Sequence, residues 1–285
     1  GAVCPSPDLD GLADIMVEAA VGSVPVPLGV AAGFLIDGEN LDIPMATEEP
    51  SVIAAATFAA GILRRGGGLS TWADESVMTA QVFLEGVDSR GEGRIREAGN
   101  RISDLVDQAL PSMKGRGGGY RGLELCRLEG SGVLAVGLKI DVRDAMGANA
   151  LNTAVETLKP ELERLSGSTA VMCILSNGAR DRRAGARFAL PVSKLPAVGP
   201  GGLSGREAAR RIVLASRIAE EEEERAITHN KGIMNGITAV VLATMNDTRA
   251  VEAGAHAWAA RSGRYQPLSR YRFGEEKEIL TGEIE

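Results

Sequence analysis

Between residues 76 and 175 the spacing of apolar side chains switches repeatedly between two periods, and that succession restricts the fold more tightly than any other feature of the chain. "SVMTAQVFLEG" (76–86) reads as a strand, and "EGRIREAGNRISDLVDQAL" (92–110) repeats apolar residues near helical spacing at Ile95, Ala98, Ile102, Leu105, Val106 and Ala109. "GLELCRL" (122–128) and "VLAVGLKIDV" (133–142) flank the short connection "EGSG", a hairpin signal with glycines where positive φ is needed. "NALNTAVETLKPELERL" (149–165) then brings Leu151, Ala154, Val155, Leu158, Leu162 and Leu165 onto one helical face, with a kink expected at Pro160. "AVMCIL" (170–175) closes the series as a strand. The order strand, helix, strand, strand, helix, strand is the split βαβ, ferredoxin-like arrangement.

The flanking parts read as mainly helical, so the expected class is α+β. "PSVIAAATFAAGILRR" (50–65) and "GREAARRIVLASRIAEEEEER" (205–225) are helices, the second opened by a capping box from Ser204 to Glu207. The run Glu220 to Glu224 reads as the solvated end of that helix rather than as a binding patch. The domain division that follows is a large domain in two pieces, 1–75 and 179–285, around a small domain at 76–178.

With 285 residues and 44% hydrophobic content the chain can bury a substantial core. A formal charge of −7 leaves no basic footprint for nucleic acid or for an anionic membrane surface. "VGSVPVPLGVAAGFLI" is broken by Pro and Gly and is too short for a membrane span. Cys4, Cys126 and Cys173 lie far apart outside any CxxC, which argues against disulfides and zinc and for a reducing, cytoplasmic setting. The two histidines, His229 and His256, form no metal motif, HExxH and GxSxG are missing, and no GxGxxG stands at a strand-to-helix turn.

Three charged positions stand in unusual settings. Glu48 and Glu49 precede Pro50 at a helix start, where capping explains one carboxylate but not readily two. Asp247 stands where an apolar run ends and a helix begins, so plain N-capping competes with any chemical role. Lys231 lies in "ITHNKGIMNGI" (227–237), which reads as a glycine- and asparagine-lined turn leading into an apolar run, an odd place for a surface lysine.

The stretches "PMATEEPSV", "DVRDAMGAN", "ITHNKGIMNGI" and "NDTRAVEAGAHAWA" resemble, almost letter for letter, the motifs of class II 3-hydroxy-3-methylglutaryl-CoA (HMG-CoA) reductases, and "VPVPLGVAAGFLIDG" and "ILSNGARDRRAGARFALP" follow the same family order. The resemblance implies a helical large domain with an inserted ferredoxin-like nicotinamide-binding small domain. It also implies a homodimer and interconversion of HMG-CoA and mevalonate plus coenzyme A with NADPH or NADH and no metal. It assigns catalytic roles to Glu49, Lys231 and Asp247, and contacts with the HMG portion to Ser51, Arg225 and Asn235. Asp144, Met146, Gly147, Ala148 and Asn149 of "DAMGAN", with Asn177 of "ILSN", match the cofactor-contacting segment.

Three departures accompany the resemblance. The family's C-terminal flap, whose histidine protonates the departing thiolate, has no counterpart up to Glu285, and neither His229 nor His256 corresponds to it. Ala20 of "EAAVG" stands where an asparagine is expected, and Leu110 where NADH-using relatives hold an aspartate, with Lys114 and Arg116 nearby to meet a 2′-phosphate. The alternative implied is a catalytically silent acyl-CoA- and nicotinamide-binding paralogue without the flap histidine.

Overall fold

The computed structural model describes residues 9–197 and 202–285; Cys4 lies outside them. It is a mixed α/β structure. Helix α1 (Leu9–Met16) is followed by a hairpin of β1 (Leu28–Ile36) and β2 (Glu39–Ala46), helix α2 (Val52–Arg64) and strand β3 (Ser70–Ala73). The hairpin turns through Asp37 and Gly38, both at positive φ, as a two-residue connection requires. The expectation of a mainly helical outer part misses this hairpin, although Asp-Gly between apolar runs was its local signal.

The segment with the alternating periods forms β4 (Val77–Glu85), α3 (Ser89–Glu97), α4 (Gly99–Ala109), α5 (Pro111–Gly115), β5 (Gly119–Arg127), β6 (Leu134–Asp141), α6 (Ala148–Ser166) and β7 (Thr169–Leu175). Its strands pair antiparallel in the order β5-β6-β4-β7. Strand β4 alternates buried and half-buried residues, while β6 is buried along nearly its whole length at the centre of the sheet. Helices α3, α4 and α6 cover one face, and Val82, Leu84, Ile95, Ile102, Leu138, Ile140, Leu158 and Leu162 form a fully buried core between the layers. The expected single helix over 92–110 is two, α3 and α4, separated at Ala98, whose backbone leaves helical geometry. Asp88 begins α3 by accepting the Gly91 amide at 2.6 Å, which is why the helix starts ahead of the apolar periodicity. Helix α6 runs unbroken through Pro160.

The last part comprises β8 (Ala184–Pro191), a single 3₁₀ turn (Val192–Lys194), α7 (Gly205–Glu221), α8 (Glu223–Ala243), α9 (Thr248–Ala259), β9 (Ser269–Gly274) and β10 (Ile279–Ile284). A second antiparallel sheet runs β3-β8-β10-β9, so a strand from before the alternating segment pairs with one from after it. Where the chain passes into and out of that segment, Arg183 is tied to Asp74 by an ion pair of 2.7 Å and a backbone bond from the Asp74 amide to the Arg183 carbonyl. Ser204 caps α7 as expected, accepting the Glu207 amide. The glutamate run is the exposed end of α7, as expected, and also a junction: Glu222 leaves helical geometry, and its carboxylate caps α8 by accepting the Glu224 and Arg225 amides. Among the described residues no helix is long and apolar enough to cross a membrane.

Replacing Leu158, fully buried in this core, by alanine is expected to lower stability by about 2–5 kcal/mol, read from the midpoint of urea unfolding at unchanged slope.

Candidate active site

Lys231 lies in the interior of α8, not in a turn. The reading of "ITHNKGIMNGI" as a turn fails because Gly232 and Gly236 are helical, and they weaken the helix by about 1 kcal/mol each relative to alanine. Neither glycine is needed for packing: a Cβ at either position would meet nothing within 4 Å. The flank of α8 beside Lys231 is therefore open. The helix is held where it matters by the fully buried Asn230, which donates to the Gln266 carbonyl at 2.9 Å and accepts the Leu268 amide at 2.8 Å, fixing the approach to β9.

Glu49 comes to this helix from the other end of the chain. Ala31 and Met45 of the hairpin pack on Ala239 of α8, with Val52, Ile53 and Ala56 of α2 against them. Strand β2 ends at Ala46, and Thr47 turns the chain by accepting the Glu49 amide on its hydroxyl at 3.1 Å. Lys231 Nζ then donates to Glu49 Oε2 at 2.7 Å and Asn235 Nδ2 to Glu49 Oε1 at 3.0 Å, so both carboxylate oxygens are engaged. Glu49 is not a helix cap; Ser51 occupies that position in α2, at φ 71° and with its hydroxyl unused as a cap. The lysine and glutamate side chains are 63% and 43% exposed, and a pair so exposed adds at most about 1 kcal/mol of stability. Their meeting across the sequence follows from packing beneath them.

The other expected residues lie around this contact or apart from it. Arg225, in the first turn of α8, is exposed, and its guanidinium has no partner among the described residues. Asp247 caps α9, its Oδ1 accepting the Arg249 and Ala250 amides at 3.1 Å each. Its carboxylate also pairs with the Arg249 guanidinium at 3.7 Å, and among the described residues no hydrogen bond or ion pair joins it to Glu49 or Lys231. Helix α9 is joined to α8 by the Thr238 hydroxyl donating to Glu252 at 3.0 Å, a pair the sequence did not single out because nothing local marks it.

Asp144, Met146 and Asn149 are exposed around the start of α6, where Gly147 is the N-cap at φ 96° and no side chain caps the helix. Gly147 is enforced by packing as well as by φ, since a Cβ would lie 2.8 Å from Met78 Sδ. Asn177 is exposed after β7. Among the described residues no group of His, Cys, Asp and Glu could hold a metal ion.

The family profile described as "Hydroxymethylglutaryl-coenzyme A reductase" matches residues 5–285. The chain is 40% identical over 278 residues to the 3-hydroxy-3-methylglutaryl-coenzyme A reductase of Archaeoglobus fulgidus, covering 96% of this chain and 62% of that relative. It is 38% identical over 270 residues to the probable reductase of Borreliella burgdorferi, covering 95% and 61%. Among solved structures it is similar to the reductase of Streptococcus pneumoniae, at 42% identity and a TM-score of 0.91 over 96% of this chain and 65% of that one. A class II structure of the same organism, bound to NADPH in open conformations, matches equally, over 74% of its chain. The chain thus spans about three-fifths of the length of the curated relatives it matches.

His229, two residues before Lys231, has its basicity lowered from the ordinary 6.5 by burial and then by the Arg225 charge, while its Nε2 meets Ser269 Oγ at 2.8 Å. The unfolded chain takes up this proton near 6.5, and the folded protein only at lower pH, so the unfolded state binds more protons across that interval. Stability is expected to fall as pH drops below about 6.5, and His229→Gln to flatten that fall, as read by urea unfolding across the range.

Proposed function

The chain belongs to the hydroxymethylglutaryl-coenzyme A reductase family, and we propose that it interconverts HMG-CoA and mevalonate plus coenzyme A through two hydride transfers with NADPH or NADH. The observation that carries this reading is the 2.7 Å contact of Lys231 with Glu49, on the flank of α8 that Gly232 and Gly236 leave open. A thioester carbonyl placed on that flank would meet the Lys231 ammonium. Each reduction puts negative charge on the carbonyl oxygen, and a preorganised cation at that point is worth about 3–4 kcal/mol once substrate excludes water. The alkoxide also requires a proton, which Glu49 relays through its contact with Lys231, while Asn235 holds the second carboxylate oxygen in place. Asp247, partly exposed at the start of α9 and paired here with Arg249, is the carboxylate assigned to keep the lysine charged when substrate excludes water. Arg225 offers an unpaired fork for the free carboxylate of HMG, and the Ser51 hydroxyl a further polar contact.

The cofactor site in this reading is Asp144, Met146, Gly147, Ala148 and Asn149 with Asn177. The residues present fit a dinucleotide: the uncapped start of α6 offers backbone donors to a diphosphate, and the side chains around it are exposed. When bound, the nicotinamide supplies the hydride. Leu110 is buried in the core and offers nothing to a ribose hydroxyl, whereas Lys114 pairs with Asp107 at 2.5 Å and Arg116 has no side-chain partner among the described residues. Arg116 is then the residue for a 2′-phosphate. The NADPH-bound class II structure at 42% identity supports the same cofactor type.

We read residues 76–178 as an inserted ferredoxin-like small domain and 1–75 with 179–285 as the two pieces of the large domain. The order β5-β6-β4-β7, and the pairing of β3 with β8 across the segment, support that division. A homodimer would cover the exposed apolar side chains Ile15, Met16, Val17, Val21 and Val24 near the N-terminus. The cytoplasmic reading is supported by Cys126 and Cys173, both free thiols.

Incubation with NADPH or NADH and either HMG-CoA or mevaldehyde tests the reading. Oxidation of a cofactor with either substrate is expected, and no oxidation with both would overturn the enzyme in favour of a silent binding paralogue. Lys231→Ala is expected to lower the turnover number about 10²- to 10³-fold with an unchanged melting curve; near-normal turnover would remove the lysine from the oxyanion role.

A further inference from the structure

On the second sheet a cavity of about 360 Å³, whose lining includes neither Glu49 nor Lys231, lies between the Gly66–Gly68 loop and strands β8, β9 and β10. Arg187, Arg270 and Arg272 line it, with Glu283 as the single carboxylate, so its wall carries three positive charges against one negative. The strand register explains the grouping: Glu283 stands opposite both Arg187 and Arg270, and Thr281 opposite Arg272, all on the exposed face of the sheet. Yet none of the three guanidiniums has a hydrogen-bond or ion-pair partner among the described residues, Glu283 included. Neighbouring arginines behave differently, since Arg183 pairs with Asp74 and Glu285, and Arg206 with Glu275 and Glu278. In a chain of net charge −7, three unneutralised arginines around one concavity need an explanation that general solubility does not supply.

We propose that this cavity binds a small organic diphosphate at a site separate from the reductase centre. Its volume suits a small molecule rather than a macromolecule. Three planar forks present enough donors for two adjacent phosphate groups, with the Ser70 and Thr281 hydroxyls at the wall. A second concavity of about 170 Å³ shares Arg187, Arg270 and Glu283 and adds Trp72 and Trp258, with Arg183 over both rings and Arg261 over Trp258, so the organic part would meet aromatic edges in a mainly polar wall.

Calorimetric titration of the protein with inorganic pyrophosphate tests this. Saturable binding is expected that weakens as salt is raised and becomes at least about tenfold weaker in the Arg270→Ala/Arg272→Ala variant. Because these side chains are exposed and unpaired, the variant is expected to fold, which its melting curve checks. Glu283→Gln is expected to bind pyrophosphate more tightly by removing the opposing charge. No saturable binding, binding unchanged in the double variant (which would place the anion elsewhere, such as the start of α6), or weaker binding in Glu283→Gln would each overturn the proposal.

Discussion

A small apolar seam decides whether the candidate site exists at all. Ala31 and Met45 of the hairpin meet Ala239 of α8 with almost no exposed surface, and α2 closes over them through Val52, Ile53 and Ala56. Small side chains let the strand pair lie close to the helix, and the end of β2 is then delivered to the turn that carries Glu49. The ion pair above the seam is too exposed to hold the elements together. Burial below fixes the distance, and the charged groups above stay exposed.

The same division of labour appears along the rest of α8. Asn230, wholly buried and with both ends of its amide satisfied, ties the helix to the strand that follows α9. One residue further on, Lys231 is exposed. A fully satisfied buried polar contact thus stands directly beside an exposed charge whose neighbouring glycine faces open space. The Asp74–Arg183 link does comparable work at the base of the segment between β4 and β7, holding its two chain crossings together while its core packs independently.

Much of the fold was legible because burial on one face imposes a period. The strands β4 to β7 and helix α6 fall where apolar spacing placed them, and Ile95, Ile102, Val106, Leu151, Ala154, Val155, Leu158, Leu162 and Leu165, named from helical spacing, lie in the core of that segment, while Ala98, Leu105 and Ala109 only pack against it. The outer strands were harder to see. β1, β8 and β9 carry short runs mixed with glycine or arginine, and a sheet with one face open to solvent leaves a weaker pattern than one covered by helices. The turn assigned to 227–237 failed for a related reason: glycine and asparagine signal turns when the backbone decides, but here neighbours on both sides stabilise a helix that local propensity disfavours. For the site, Glu49, Lys231 and Asn235 were named from their motifs and stand in contact, whereas Asp247 makes the capping bonds that its position before a helix also allowed.

By itself, then, the sequence determined the succession of strands and helices in the alternating segment and the chemical types available to the site. Both are written in short windows, as periodicity and as motif. Only the tertiary structure decided that Glu49 meets Lys231 across 182 residues, that β3 pairs with β8 around the intervening segment, and that three arginines on two strands face one cavity. Such pairings depend on which apolar faces bury each other, and that is a property of the packed chain rather than of any stretch within it.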